Sequence, residues 1–164
     1  MSRARVFLAA LIVSAAALAA ACGSTGSVAD LELQDITSGY FDEGVIAGEN
    51  KIVPSVSFKL HNKGTSSVST VQLNTIFQID GADGPMDEIL TRAVGSEGVA
   101  AQQSTPVHRV KSKIGYTGKQ PRAEMLTNHE FKDVRVRIFG KSGSGQWTLL
   151  GESVIQRRII TQIP

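Results

Sequence analysis

The order of apolar and polar positions divides the chain in two. Across residues 6–21 every position but Ser14 is apolar, with no period. Beyond Ser27 apolar residues recur at alternate positions, in short runs broken by Gly, Asn, Pro and Ser, as half-buried strands require. Leu31 and Leu33 alternate with Glu32 and Gln34. Val56, Phe58 and Leu60 share one face of a second run, and Asn62-Lys63-Gly64 after it suits a reversal. Val71, Leu73, Phe77 and Ile79 share a face of a third run, with Thr75 between them, before the turn-rich residues 81–85 (GADGP). Residues 88–94 (EILTRAV) read equally as a strand or a short helical turn. Residues 107–114 read as a polar, basic strand near a sheet edge, where lysines discourage further pairing. Residues 121–129 (PRAEMLTNH) predict a helix of about two turns with Pro121 at its first position. Residues 132–139 alternate again, Val134, Val136 and Ile138 inward and Arg135 and Arg137 outward. Residues 140–145 (GKSGSG) reverse the chain, 147–150 return, and 154–163 form a final strand. The pattern predicts a mostly β chain: a single antiparallel β-sandwich of about seven strands with one short helix.

The apolar N-terminal run is of another kind. Arg3 and Arg5 precede it, small residues end it, and its alanine-rich core is short of the roughly 20 strongly apolar residues of a membrane span. Residues 1–21 therefore read as a secretory signal peptide, with an uncleaved anchor helix as the alternative. Cys22, the only cysteine, follows directly, so in an exported chain it has no internal disulfide partner. Leu18-Ala19-Ala20-Ala21-Cys22 resembles the lipobox of bacterial lipoproteins, with Ala19 where that pattern has a branched aliphatic residue and Leu18 one place further back. The resemblance implies that Cys22 is the first mature residue and carries acyl chains. Each buried methylene contributes about 0.8 kcal/mol, so two or three chains anchor durably where one does not. Gly23, rather than an aspartate, points by the same resemblance to the outer membrane, facing the periplasm. Ordinary cleavage after Ala19-x-Ala21, leaving a free or intermolecular thiol, is the alternative. The expected organisation is signal peptide 1–21, lipidated cysteine and flexible tether 22–27, and a β-sandwich domain 28–164.

Removing the signal changes the charge. The whole chain carries 17 Lys and Arg against 15 Asp and Glu, and the signal takes two of the arginines, leaving a formally neutral mature chain. Nucleic-acid binding thus has no global electrostatic support. Charge is nonetheless uneven: residues 22–91 hold three lysines and ten acids, residues 92–164 twelve bases and five acids. Pairing of the two halves within one domain explains this. A basic face for an acidic partner or lipid headgroups explains it too. Such a face would use Arg109, Lys111 and Lys113, which alternate on one strand, and Arg135 and Arg137 on another. Ordinary solvent-facing positions account for the same residues.

Candidate chemistry is sparse. Residues 140–145 invite a phosphate-loop reading, but Arg135 stands where the leading glycine is needed and a strand follows, so a hairpin loop is expected. His61, His108 and His129 are far apart in sequence and read as surface or strand-end histidines. A G-x-S-x-G nucleophile elbow is missing from the sequence. Asp80, Asp83, Asp87 and Glu88 surround a Gly-rich loop that could attract calcium, without EF-hand spacing; a solvated turn is the simpler account. Trp147 is expected in the core or at its rim, and Tyr40-Phe41 at an exposed aromatic edge or a strand end. The sequence assigns no catalytic residue, no metal ligand and no cofactor.

Residues 56–81 (VSFKLHNKGTSSVSTVQLNTIFQIDG) resemble the immunoglobulin-like or fibronectin-like modules of bacterial envelope proteins. These include the cell-adhesion-related bacterial domain and, more distantly, the late-embryogenesis-abundant β-sandwich. Residues 98–104 stand where such modules often carry Leu-x-Pro-Gly-x-Ser, here without the Pro-Gly pair. A Cys…Trp…Cys pattern is lacking, which excludes an antibody-type domain. The resemblance implies a sandwich used for binding, spacing or assembly, with no catalytic residues. The expected function is a membrane-anchored, non-enzymatic binding or assembly module of the cell envelope, its partners the membrane, through the N-terminal lipid, and an envelope protein. An accessory subunit of an export or lipid-handling system using the basic face, and a small enzyme, are the alternatives.

Overall fold

Two long strands form the spine of the domain. β1 (Leu31–Ile46) and β2 (Glu49–Asn62) pair antiparallel from Leu31↔Asn62 to Ile46↔Glu49. Ala47 (φ 52°) and Gly48 (φ 83°) join them, the two positive φ values of a type I′ turn. Sixteen residues of strand carry β1 roughly 50 Å. Its register shifts twice, between Gln34 and Thr37, where Asp35 takes φ 54°, and between Asp42 and Gly44, where Gly44 takes φ 86°. Each bulge re-aims the following side chains. That is why the period-two signal fades after Gln34, and why Tyr40 is not at an exposed edge or a strand end but fully buried in mid-strand.

The computed structural model describes residues 25–162, so the expected signal peptide 1–21 and Cys22 lie outside the described residues. After β2 come β3 (Val71–Ile79), β4 (Asp87–Val94), β5 (His108–Lys111), β6 (Tyr116–Gly118), α1 (Arg122–Thr127), β7 (Val134–Ser142), β8 (Thr148–Val154) and β9 (Ile159–Ile160). One sheet runs β5-β2-β1-β9, with β6 also on β2; the other runs β4-β3-β7-β8. Both face one core. Leu31, Tyr40, Ile52, Val56, Phe58 and Leu60 come from the first sheet, and Val71, Leu73, Phe77, Val134, Val136 and Ile138 from the second. The fold is thus mostly β, in two largely antiparallel sheets.

Several expectations are revised. Residues 88–94 are strand, within β4. Of the basic strand expected at 107–114 only His108–Lys111 (β5) is strand, and β6 (Tyr116–Gly118) takes up the same partner, β2, beyond it. The cause is Pro54 in the middle of β2. The Tyr40 N–H donates to Arg158 O, away from β2, so Pro54 faces the β5/β6 side, where it has no N–H to offer. The chain bulges there, and the Ser112 N–H reaches the Pro54 carbonyl instead. The expected final strand 154–163 also breaks. Ile155 is buried, its N–H donating to Val134 O, and the chain then crosses to the other sheet, where β9 pairs parallel with β1 at Tyr40 and Phe41. The helix is only Arg122–Thr127, with Pro121 as its N-cap rather than its first residue. Trp147 is not in the core: it is 40% exposed, at the end of the Gly-rich loop that joins β7 to β8.

One end of the domain is closed by loops around Asn62. This residue is fully buried; its Nδ2 donates to Ser66 O (2.8 Å) and Val99 O (3.0 Å), and its Oδ1 accepts from Gly64 N (2.9 Å). Val68 and Val99 pair beside it. The N-terminal segment docks on these loops. The Gly26 N–H donates to Ser67 O (2.9 Å), and a Cβ on Gly26 would stand 2.7 Å from Val68 Cγ2, so only glycine fits. Ser27 and Asp30 cap the 3-10 turn Val28–Asp30 reciprocally. The chain is therefore held from Gly26 onward. No helix among the described residues is long and apolar enough to cross a membrane.

Candidate functional site

The basic residues singled out in the sequence are not brought together. β5 belongs to one sheet and β7 to the other. Val110 faces the core from β5, and Val134, Val136 and Ile138 face it from β7, so the intervening cations point outward on opposite sides. Each set is also engaged locally. Lys111 Nζ meets Glu43 Oε1 (2.5 Å) and lies 4.7 Å from the centre of the Phe41 ring. Lys113 lies past the end of β5, its N–H donating to Asp87 Oδ2 (2.7 Å). Arg135 is 3.8 Å from Asp80 and 3.6 Å from Glu152, and Arg137 donates to Gln78 Oε1 (2.8 Å). Arg109 is exposed on the outer side of β5. Among the described residues the ion pairs Lys111–Glu43, Arg122–Asp42 and Arg135–Asp80 join a base of the second half to an acid of the first. The uneven charge along the sequence is in part this pairing.

The remaining chemical candidates also disperse. Of the acids around residues 80–88, Asp80 turns to Arg135, while Asp87 accepts from Ser112 Oγ (2.9 Å) and Lys113 N. Burial raises the Asp87 pKa, but the hydrogen bonds from Lys113, Ser112 and Glu88 outweigh it and hold the carboxyl below its ordinary value. Asp87 thereby ties β4 to the β5–β6 connection in the other sheet. No three His, Cys, Asp or Glu among the described residues stand close enough to hold a metal ion. His61 Nδ1 is 3.0 Å from Ser104 Oγ; among the described residues the histidine within ion-pair reach of a carboxylate is His129, beside Glu130, not His61. The hairpin loop expected at 140–145 is shifted: 140–142 still belong to β7, and residues 143–147 make the reversal to β8.

What the fold does build is a groove between α1 and β9. It has a volume of about 550 Å³, with Ala123, Leu126 and Thr127 on the helix side and Arg157, Arg158 and Ile159 on the strand side. Its cations are placed by backbone carbonyls and, for Arg157, by an ion pair with Asp133. Arg157 Nε donates to Asp133 Oδ1 (2.7 Å), Nη1 to Leu126 O (3.1 Å) and Nη2 to Phe131 O (3.4 Å), with the guanidinium 5.1 Å from the Phe131 ring centre. Arg158 Nε donates to Ser38 O (2.8 Å). Beneath lie Tyr40, Tyr116 and Phe131, with ring centres 4.4–6.1 Å apart. Burial pushes the Tyr40 and Tyr116 hydroxyls above their ordinary pKa, and Asp133 adds to both. The groove is open, with Ala123 and Leu126 on its helix side and two guanidinium groups held in place on the other. The adjacent arginines in VIQRRII interrupt strand alternation, and that interruption is the one sequence signal that marks this site.

No family model matches the chain, and no curated protein matches it. A solved structure, described as "X-ray structure of Northeast Structural Genomics Consortium target SoR45", is 12% identical, with a TM-score of 0.40 over 78% of this chain and 83% of that one. A likeness of that size carries no argument about fold or function.

Proposed function

We propose that the chain is a lipid-anchored, non-enzymatic binding module of the bacterial cell envelope, built on an immunoglobulin- or fibronectin-like sandwich. The strand order supports the fold reading. With β1, β2 and β5 as strands A, B and E, and β3, β4, β7 and β8 as C, C′, F and G, the sheets read A-B-E and C′-C-F-G. β6 and β9 are additions to that frame.

The observation that carries the functional reading is the groove between α1 and β9. It adjoins β1 at Tyr40, roughly 30 Å along the strand from Leu31 and the loops on which the N-terminal segment docks. A domain held at Cys22 presents that groove away from its anchor. The basic-face alternative has less to stand on, because its cations divide between the two sheets.

The test is in-cell photocrosslinking from Thr127, on the exposed side of α1, against a control probe at Thr91 on β4 in the other sheet. A discrete envelope protein captured from Thr127, lost on Arg158→Glu and in Cys22→Ser cells, supports the reading. Capture from Thr91 but not from Thr127 refutes the groove. Absence of fatty-acid label on the wild-type chain refutes the anchor.

A further inference from the structure

The N-terminal segment and the Gly-rich β7–β8 loop lie at the same end of the domain. Thr25, Gly26, Ser27 and Val28 line a shallow polar hollow with Ser142, Gly145, Gln146 and Thr148. The Gly143 N–H donates to Thr70 O (3.0 Å), in the same group of loops that receives Gly26 at Ser67. Trp147, between the lining residues Gln146 and Thr148, is exposed, and Lys141 Nζ sits 4.8 Å from the centre of its ring. Lys63 is exposed on the adjoining loop, and Arg92 shares with Lys141 the strand partner Gln72, so both stand at this end of their sheet. The nearby acids are engaged locally: Asp30 accepts from Ser27 N and Glu97 from Gly95 N. This end carries an exposed tryptophan and three cations; Asp30 and Glu97 accept backbone N–H groups but keep their charge, and Glu97 faces Arg92, which leaves Lys63 and Lys141 as the cations turned to anionic headgroups.

Four peptide units separate Cys22 from Gly26, at most about 14 Å of chain. We infer that Trp147 and Lys141 form a second membrane contact, seated at the headgroup level of an anionic lipid surface. The inference rests on the lipid-anchor reading of Cys22. A tether so short leaves the Trp147 end little room to stand clear of the bilayer. Tryptophan favours the water–hydrocarbon interface, because its ring is apolar and its indole N–H seeks a partner. Lysines and arginines beside it are drawn to anionic headgroups. Two contacts hold the domain upright, whereas an acyl anchor alone lets it swivel. The hairpin tip, with Val45 and Ile46 exposed, then points outward at the far end of β1.

The chain has one tryptophan and one cysteine, which makes the test direct. The wild-type protein is purified from membranes, the mass of its N-terminal peptide is measured, and it is reconstituted in vesicles of phosphatidylcholine and phosphatidylglycerol brominated near the top of the acyl chain. Trp147 emission is expected to shift to the blue and to be quenched relative to vesicles without bromine. The double variant Trp147→Phe, Ile46→Trp moves the fluorophore to the hairpin tip and is expected to show neither change. If the mass shows an unmodified Cys22, the anchor reading fails separately. The thiol is then coupled to a maleimide phospholipid, and the same quenching is read at the same tether length. An acylated or coupled protein whose Trp147 is unquenched and fully open to aqueous acrylamide overturns the inference, as does quenching of the hairpin-tip fluorophore in the double variant with none in the wild type.

Discussion

Replacing Asn62 by alanine removes three hydrogen bonds at a fully buried position, two donated to carbonyls and one accepted from Gly64. A typical buried hydrogen bond contributes about 0.5–1.5 kcal/mol net. The losses are unequal. Val99 O still accepts from Val68 N (3.1 Å) and Ser67 Oγ (3.3 Å), so that carbonyl remains satisfied. Ser66 O and Gly64 N lose the Asn62 partner. The main-chain bonds of residue 62, to Gln103 O and from Gln102 N, survive the substitution. Taken together, Asn62→Ala should cost about 2–4 kcal/mol. Urea unfolding followed by far-ultraviolet circular dichroism reads this as a midpoint lowered by roughly 1–2 M at an ordinary slope. Asn62→Asp is the sharper variant. It keeps the shape but turns a carboxylate oxygen toward two carbonyl oxygens, so at neutral pH it should lose more than alanine and regain stability as acid protonates it. An alanine variant within about 0.5 kcal/mol of wild type would show that the amide is not what closes this end of the domain.

Thr75 is fully buried in β3, and its hydroxyl has no hydrogen-bond partner among the described residues; Thr75→Val keeps the β-branched shape and should raise stability by about 1 kcal/mol, measured in the same urea titration. His108 packs against Phe58, and burial lowers its pKa in the folded state. The unfolded chain therefore binds this proton first, so stability should be flat above the unfolded value of about 6.5 and fall as pH drops toward the folded value. A urea midpoint that falls equally in wild type and His108→Leu between neutral pH and that lower limit would remove His108 as the cause.

The strands with an unbroken period of two were legible in the sequence. Residues 134–138 and 71–79 alternate because one side meets the core and the other meets water along their whole length. β1 was legible only as far as Gln34, because its two bulges change the face presented and no local rule announces them. Trp147 was placed wrongly because size and hydrophobicity favour burial on average, whereas the geometry of the β7–β8 loop decides the individual case. The candidate groove was nearly illegible: α1 and β9 are about thirty residues apart, and only the interruption by Arg157 and Arg158 hinted at it.

What the sequence determined by itself is local. Alternation, turn residues and the position of the lone cysteine depend on neighbours along the chain, and from them come the mostly β character, most strand positions and the expected anchor. What only the tertiary structure decided is relational. Pro54 splits the strand across from it, because a missing N–H matters only where a partner would receive it. Arg135 and Arg137 part from Arg109, Lys111 and Lys113, because sheet membership is set by pairing and not by composition. Gly26 and the β7–β8 loop meet at one end, because the core orders strands in space without regard to their distance in sequence.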